Sequence, residues 1–331
     1  MSVVIISHRK DLDGLSSAAL MVRYFTKHRP SPFYLTLRDY PDGANVIEDK
    51  LLNVKHAEIY LADLATDQKF IEEVIAKLKR LKANANKVVW MDHHPTRPEI
   101  ATSIRNTIDI LDLRDSTTTG SETVYDRLYR NNGIKDSHAE MLAKLGHDSD
   151  LMEMKIPVTS KLVMLIDYYN YIDADTLFYP DLIQLVLHLA APRIESDQAK
   201  LLTPDHVQQL NKYSRLLDRE KKKVFANVEI IESGGFKFAV FSYPSIFSGT
   251  RISAEVLSHF NVDASVGYSS DGSGSVRRNS EAISCRKIAK LLGGGGHEFA
   301  AGFSLGFEVK NKDSDKRARM EIIEAIKKVY Q

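Results

Sequence analysis

Asp92, His93 and His94 follow directly on the apolar run Val88-Val89-Trp90-Met91 and precede Pro95. One carboxylate beside two imidazoles offers a hard oxygen donor and two nitrogen donors. That set suits Mn²⁺, Zn²⁺ or Fe²⁺ better than Ca²⁺. Adjacent histidines alone prove little, but the arrangement recurs. His8, Asp11 and Asp13 fall within six residues after the run Val3-Val4-Ile5-Ile6. Asp11 and Asp13 alternate around Leu12, so both carboxylates can face one pocket, and Gly14 lets backbone come close to its occupant. Asp63 ends the run Ile59-Tyr60-Leu61-Ala62. Asp150 stands in the polar segment Gly146–Glu153, with Asp148 as the second choice. A helix cap would need only one of these acids and would not call for His8.

Short apolar runs bounded by polar loops read as buried strands of a parallel sheet. The candidate ligands then sit just beyond the carboxyl ends of those strands, where ligands bind in open α/β sheets. The first strand, its polar loop and the small-residue helix from Leu15 open a βαβ unit. Phe70, Ile71, Val74, Ile75, Leu78 and Leu81 are spaced as on a helix, with Asp67 as its cap. The stretch from Pro95 to Asp112 reads as less regular. Asp115–Glu122 introduces an amphipathic helix through Val124, Leu128 and Tyr129, its hydroxyl-rich start serving either as a phosphate contact or as a simple cap. Val158–Leu202 reads as a packed helical extension rich in tyrosine (Tyr168, Tyr169, Tyr171, Tyr179), with a base-stacking lining as the other reading. One long helix is expected from Asp205 to Val228, with Glu220–Lys223 on a solvated face.

Beyond it, the alternation of Phe236–Phe241 predicts a new sheet and a second core. Ile252–Phe260 reads as a helix, Ala264–Tyr268 and Gly274–Arg278 flank a turn at Asp271-Gly272, and Ser284–Leu292 is helical. Gly293-Gly294-Gly295-Gly296-His297 follows, and Phe299–Phe303 is expected to be packed. Amides freed of side chains approach an anion closely. His297 can donate to that anion, and Arg277 can reach it bidentately.

With 331 residues the chain is expected to hold two domains. The expected fold is α/β: a doubly wound, mostly parallel N-terminal sheet domain with a helical extension (1–204), a long connector helix (205–228) and a smaller C-terminal α/β domain (229–331). Balanced charge, 45 basic against 44 acidic residues, gives no global field for long duplexes but leaves room for a local basic cleft. No apolar stretch of about eighteen residues occurs and the chain runs at once into a strand, so neither a membrane span nor a leader is expected. The lone Cys285 excludes an internal disulfide framework and fits a reducing cytoplasm.

Ser7-His8 with Asp11-Leu12-Asp13-Gly14, then Leu61-Ala62-Asp63, then Asp92-His93-His94, then Asp150, resemble the four motifs of the DHH phosphoesterases. Gly293–Gly302 resembles the GGGH-and-AAG signature of their DHH-associated C-terminal substrate domain. Five separated motifs in family order span nearly the whole chain, which is most similar to the nanoRNase B branch. It departs in placing two residues between His8 and Asp11, where relatives carry one or three, and in a loosely written fourth motif. The resemblance implies a pair of Mn²⁺ ions, with Mg²⁺, Co²⁺ or Fe²⁺ as substitutes. His8 and Asp11 would hold one, Asp13, His93 and Asp150 the other, and Asp63 would bridge them. Asp92 would orient His93 or lie close to the metals, and His94 would face the phosphate. Two cations about 3.5–4 Å apart activate water and neutralise phosphoryl charge. The C-terminal domain is implied to close over this site, with Gly294, Gly295, Gly296, His297 and Arg277 gripping a terminal phosphate or nucleotide. Such a clamp favours very short single strands. The implied activity is hydrolysis of short oligonucleotides, including dinucleotides such as pGpG, to mononucleotides. The alternatives are a 3′-phosphoadenosine 5′-phosphate phosphatase, a RecJ-like single-strand exonuclease, and a nucleotide-binding protein without catalysis. Relatives are often dimers, so the resemblance allows a homodimer.

Overall fold

Strands without a polar face must be covered on both sides, and the first sheet is built that way. A computed structural model describes residues 2–39, 46–65, 70–115, 117–174, 176, 178–191 and 201–331. The chain divides into two compact units, Met1–Leu210 and Asn211–Gln331.

In the first unit β1 (Val3–His8), β2 (Phe33–Arg38), β3 (Glu58–Ala62), β4 (Lys87–Asp92) and β5 (Ile110–Leu113) form an all-parallel sheet in the order β2-β1-β3-β4-β5. On one face Val4, Ile6, Ile59, Leu61, Val88 and Trp90 meet Val74, Leu78 and Leu81 of α2 (Ile71–Ala83) and Ile104 of α3 (Pro98–Arg105). On the other, the wholly buried α1 (Leu12–Arg23) packs on β1 and against α4 (Gly120–Leu128), α5 (Ser137–Asp150), α6 (Thr159–Ile172) and α7 (Pro180–Ala190). β1 is flanked by β2 on one side and β3 on the other, so the winding reverses between β1 and β3. A crevice opens at such a switch point, beyond the carboxyl ends of the strands.

Buried ion pairing fixes α1 at its far end. Arg23 donates to both carboxylate oxygens of Asp136, at 2.9 and 3.1 Å, and to the Ala191 carbonyl at 3.0 Å. Asp136 also caps α5 by accepting from the His138 and Ala139 amides. Burial works to raise the Asp136 carboxyl, but Arg23, His28 and the Ala139 amide hold it well below the usual carboxylate range.

Two expectations change here. The stretch after Pro95 is not irregular: it holds α3, with Pro98 in its first turn, and β5. β2 and β5 are the sheet's two edges and are only partly buried, so neither carries the continuous apolar signal of β1, β3 and β4. The expected cap Asp67 lies outside the described residues.

The unit boundary falls within α8 (Pro204–Ala226), of which only Tyr213 and Val224 are buried. The second unit is a mixed sheet in the order β10-β11-β9-β8-β7-β6. It comprises β6 (Glu229–Ser233), β7 (Phe236–Ser242), β8 (Ala264–Tyr268), β9 (Ser273–Arg278), β10 (Gly295–Gly296) and β11 (Ala300–Ser304). Only β7 and β8 run parallel. Phe238, Val240, Val266, Val276, Ala301 and Phe303 pack against α10 (Cys285–Leu291) and the C-terminal α11 (Lys312–Tyr330), a helix the spacing of apolar residues did not lead us to expect. Against β8 and β9 lies α9 (Gly249–Phe260). Cys285 is fully buried in this core, and that burial pushes its thiol up to about 11. Among the described residues no helix is long and apolar enough to cross a membrane.

Candidate metal centre and glycine edge

Three strands deliver one polar residue each at their carboxyl ends, two of them flanking the switch point and the third next to it: His8 from β1, Asp63 after β3 and Asp92 from β4. Asp63 takes a left-handed backbone, φ 54°, which is costly for a residue with a Cβ, while its amide extends the sheet by donating to the Met91 carbonyl at 3.0 Å. The ladder on one side and the turn on the other therefore fix where its carboxylate points. Asp92 accepts from the His93 amide at 2.9 Å and from His94 Nδ1 at 2.8 Å, both on Oδ1. It thus orients the His94 ring and tethers His93 by its backbone; the resemblance implied that it orients His93 or lies close to the metals.

Asp13 enters from the first turn of α1 and is buried. Its carboxylate accepts from the Gly120 amide at 2.7 Å and the Ser121 amide at 3.0 Å. These are the amides a phosphate would need at the start of α4, so that helix end is spent on Asp13 and on the Thr119/Glu122 capping box. His93 Nε2 stands at the centre: 3.2 Å from Asp63 Oδ1, 3.7 Å from Asp13 Oδ2 and 3.9 Å from Asp150 Oδ2. Ligand atoms of Asp63, Asp92, His93 and His94 lie within 4.8 Å of one another, as do those of Asp13, His93 and Asp150. Asp150 closes α5 and is the exposed member. Asp148 is buried and points elsewhere, accepting from the Lys155 and Ile156 amides at 2.7 and 3.0 Å, a loop clamp. His8 and Asp11 are brought to each other, Nε2 to Oδ2 at 3.3 Å, but belong to neither group. Asp11 also caps α1 by accepting from the Gly14 amide at 2.9 Å.

Three buried atoms here, Asp63 Oδ1, Asp92 Oδ2 and His93 Nε2, make no hydrogen bond. Burial, and then the negative charges of Asp13, Asp11 and Asp92, push the Asp63 carboxyl well above the usual range. Burial likewise raises Asp13, opposed by its bond to Ser121. Burial would lower His94, but the bond to Asp92 and the charges of Asp92 and Asp63 lift it. Orphaned oxygen and nitrogen donors in a crowd of buried carboxylates are what a divalent cation satisfies, so the residues fit the metal that the sequence implies.

Sequence reading missed the glycines that make this crowding sterically feasible. A Cβ on Gly120 would stand 2.7 Å from Asp63 Cβ, and one on Gly146 would stand 2.5 Å from Asp13 Oδ1. Only the hydroxyl-rich run Asp115–Glu122 marked the α4 end in advance.

In the second unit Arg277 lies on β9 opposite Ala300 of β11. It donates to Thr250 Oγ1 at 2.6 Å and to the Val276 carbonyl at 2.9 Å, and no carboxylate of a described residue pairs with it. The glycines divide by role. The Gly294 amide donates to the Ala289 carbonyl at 2.8 Å, and a Cβ there would clash with the Gly302 carbonyl at 2.1 Å. Gly296 has φ 136°, and a Cβ there would stand 2.7 Å from Ala301 Cα. Only Gly295 faces open space. The expectation that Phe299–Phe303 is packed holds for Ala301 and Phe303 but fails for Phe299, which is 62% exposed, because it occupies the turn between β10 and β11 where alternation no longer applies. Among the tyrosines, Tyr168 and Tyr169 are buried, as packing requires, whereas Tyr171 is exposed and Tyr179 is half-buried.

Residues 2–155 match the family profile described as DHH family, N-terminal domain. No curated protein matches the sequence. Among solved structures the chain is similar to exonuclease RecJ bound to manganese, at 15% identity and a TM-score of 0.57, over 98% of this chain and 90% of that one. It is also similar to a pGpG-specific phosphodiesterase from Vibrio cholerae, at 12% identity and a TM-score of 0.52, over 98% and 99%. At these identities the two structures speak to the fold, and they share it. Residues 2–155, with their sheet order and their Asp-His-His strand end, are thus similar to the N-terminal domain of the DHH family.

Proposed function

We propose that the chain is a divalent-metal-dependent phosphoester hydrolase that cuts short single-stranded oligonucleotides, down to dinucleotides such as pGpG, to mononucleotides. The carrying observation is the convergence of Asp63, Asp92 and His93, each with a buried and unbonded polar atom, at the strand ends of a DHH-like sheet. Asp13, Asp63, His93 and Asp150 would hold the metal, with His8 and Asp11 as the outer pair, and Mn²⁺ is the favoured ion because the RecJ structure is described with manganese. When bound, such ions activate water and neutralise charge developing on the phosphoryl oxygens. Asp92 holds the His94 ring so that its Nε2 can donate to a phosphate oxygen or to the leaving group. Arg277, with a guanidinium no described carboxylate neutralises, and His297 bind a phosphate of the substrate, while Gly295 leaves the adjoining backbone bare. The preference for short substrates rests on the near-zero net charge and on the likeness to the nanoRNase B branch. A reducing, cytoplasmic setting accords with a single buried cysteine.

The test is incubation with Mn²⁺ and a labelled ladder of two to twenty-four nucleotides, alongside the 3′,5′-bisphosphate. Release of mononucleotides fastest from the shortest rungs is expected. Preference for long strands would move the reading to a RecJ-like exonuclease, and phosphate release from the bisphosphate alone would move it to a phosphatase. If no phosphoester is cut, the proposal fails.

A further inference from the structure

The turn between β10 and β11 carries a feature that the phosphate reading leaves unused. His297 and Phe299 lie parallel, ring centroids 5.4 Å apart and planes within 5° of each other. Phe299 is 62% exposed, although its strand neighbours Ala301 and Phe303 are buried at 4% and 5%. Backbone bonds fix the turn that carries it: the His297 amide donates to the Ala300 carbonyl at 2.8 Å, and the Cys285 amide donates to the Glu298 carbonyl at 2.9 Å. Phe299 stacks on an imidazole and is otherwise largely exposed to solvent. A large apolar ring in water is unfavourable for the free protein and has no role in the core.

The surroundings say what would cover it. Ala300, the residue after Phe299, pairs with Arg277, so the turn that carries Phe299 adjoins the strand position of Arg277. Gly295 and Gly302 pair on the same edge and leave that stretch of it without side chains. An aromatic ring, a guanidinium paired with no carboxylate of a described residue and a bare strip of backbone match the three parts of a nucleotide: base, phosphate and sugar. Stacking of bases on exposed aromatic rings beside a cationic groove is how single strands are held without sequence readout. We propose that Phe299, backed by His297, is the stacking platform for one nucleobase of the substrate, with Arg277 taking the adjoining phosphate. The platform selects base-bearing phosphoesters over base-free ones such as ribose 5-phosphate. This rests on the nucleotide reading above and deepens it.

Two measurements test it. The native chain has one tryptophan, the buried Trp90, so Phe299→Trp introduces an exposed indole against a constant background. Titrating metal-free Phe299→Trp protein with adenosine or guanosine 5′-monophosphate is expected to quench the new emission, and ribose 5-phosphate is expected to leave it unchanged. An unaltered emission with nucleotide, or an equal response to ribose 5-phosphate, overturns the proposal. In turnover of a dinucleotide, Phe299→Ala is expected to raise KM about tenfold with kcat within twofold, and Phe299→Tyr to restore KM, since base stacking on an aromatic residue is worth about 1–3 kcal/mol. An unchanged KM in Phe299→Ala also overturns it. If the wild-type protein hydrolyses no oligonucleotide, the functional reading fails, while the emission titration still decides the stacking platform.

Discussion

The candidate metal centre of the first unit and the glycine edge of the second are built on opposite principles. In the first, the acids are crowded and committed. Asp13 is bonded to two amides, Asp92 to an imidazole and an amide, Asp63 is set by a strained backbone, and Gly120 and Gly146 leave no spare volume. In the second, Phe299 stands in solvent, Gly295 faces open space and Arg277 is tethered through a single hydroxyl and two carbonyls. A dense, preorganised cage suits a small hard charge, whose binding depends on fixed geometry. An open edge of ring, cation and bare backbone suits a larger, softer ligand whose identity varies. Substitutions in the first region should therefore act on kcat and on folding, and those in the second on KM.

That contrast breaks or sharpens in five experiments. The largest effect is expected from Asp63→Ala: turnover falls about 10³-fold or more, the scale of removing a preorganised electrostatic partner, with an unchanged circular dichroism spectrum. Wild-type activity in that variant would remove the cage from the chemistry. Next comes Asp136→Ala, remote from the centre, which strands the buried Arg23. Loss of one partner of such a pair costs about 3–5 kcal/mol, read as a lower denaturant midpoint. Because the folded-state carboxyl of Asp136 lies below its unfolded value, its contribution is complete above about pH 4 and is lost as pH falls through the folded-state value. The wild type should therefore lose stability on acidification more steeply than Asp136→Asn.

Third, Mn²⁺ should raise the melting temperature, since an ion that binds only the folded state adds about 2.7 kcal/mol at a hundredfold excess over its Kd. Asp63→Ala should show little of that gain. Arg277→Ala is expected to raise KM about tenfold, with the metal-induced gain in melting temperature intact; a fall in kcat alone would contradict the division of labour. The smallest effect separates the glycines. Gly295→Ala should alter stability by no more than about 0.5 kcal/mol, whereas Gly294→Ala, with its clash against Gly302, should lower the denaturant midpoint clearly.

What could be read in advance follows the same divide. β1, β3 and β4 are buried on both faces, so each writes an unbroken apolar run that stops abruptly on His8, Asp63 or Asp92, and a one-dimensional pattern suffices to find it. The edges β2 and β5 are half-exposed and dilute that pattern. Gly120 and Gly146 matter through neighbours 57 or more residues away, Asp63 and Asp13, and no local spacing reports such contacts. Phe299 misled because alternation was extended from β11 into a turn, where side chains no longer take sides by parity. Asp148 and Asp150 were separable only through geometry: one clamps the Lys155–Ile156 amides, the other stands 3.9 Å from His93.

The donors are dispersed along the chain, from His8 on the first strand to Asp150 at the end of α5, and their sheet is parallel throughout. Parallel pairing requires long loops to close before contacts form, and it is slow for that reason. No fragment shorter than this span can assemble the cage, so a nascent or partly folded chain has no competent pocket to misload. Uptake of the ion would then be a late event, and its kinetics would time the closing of the sheet.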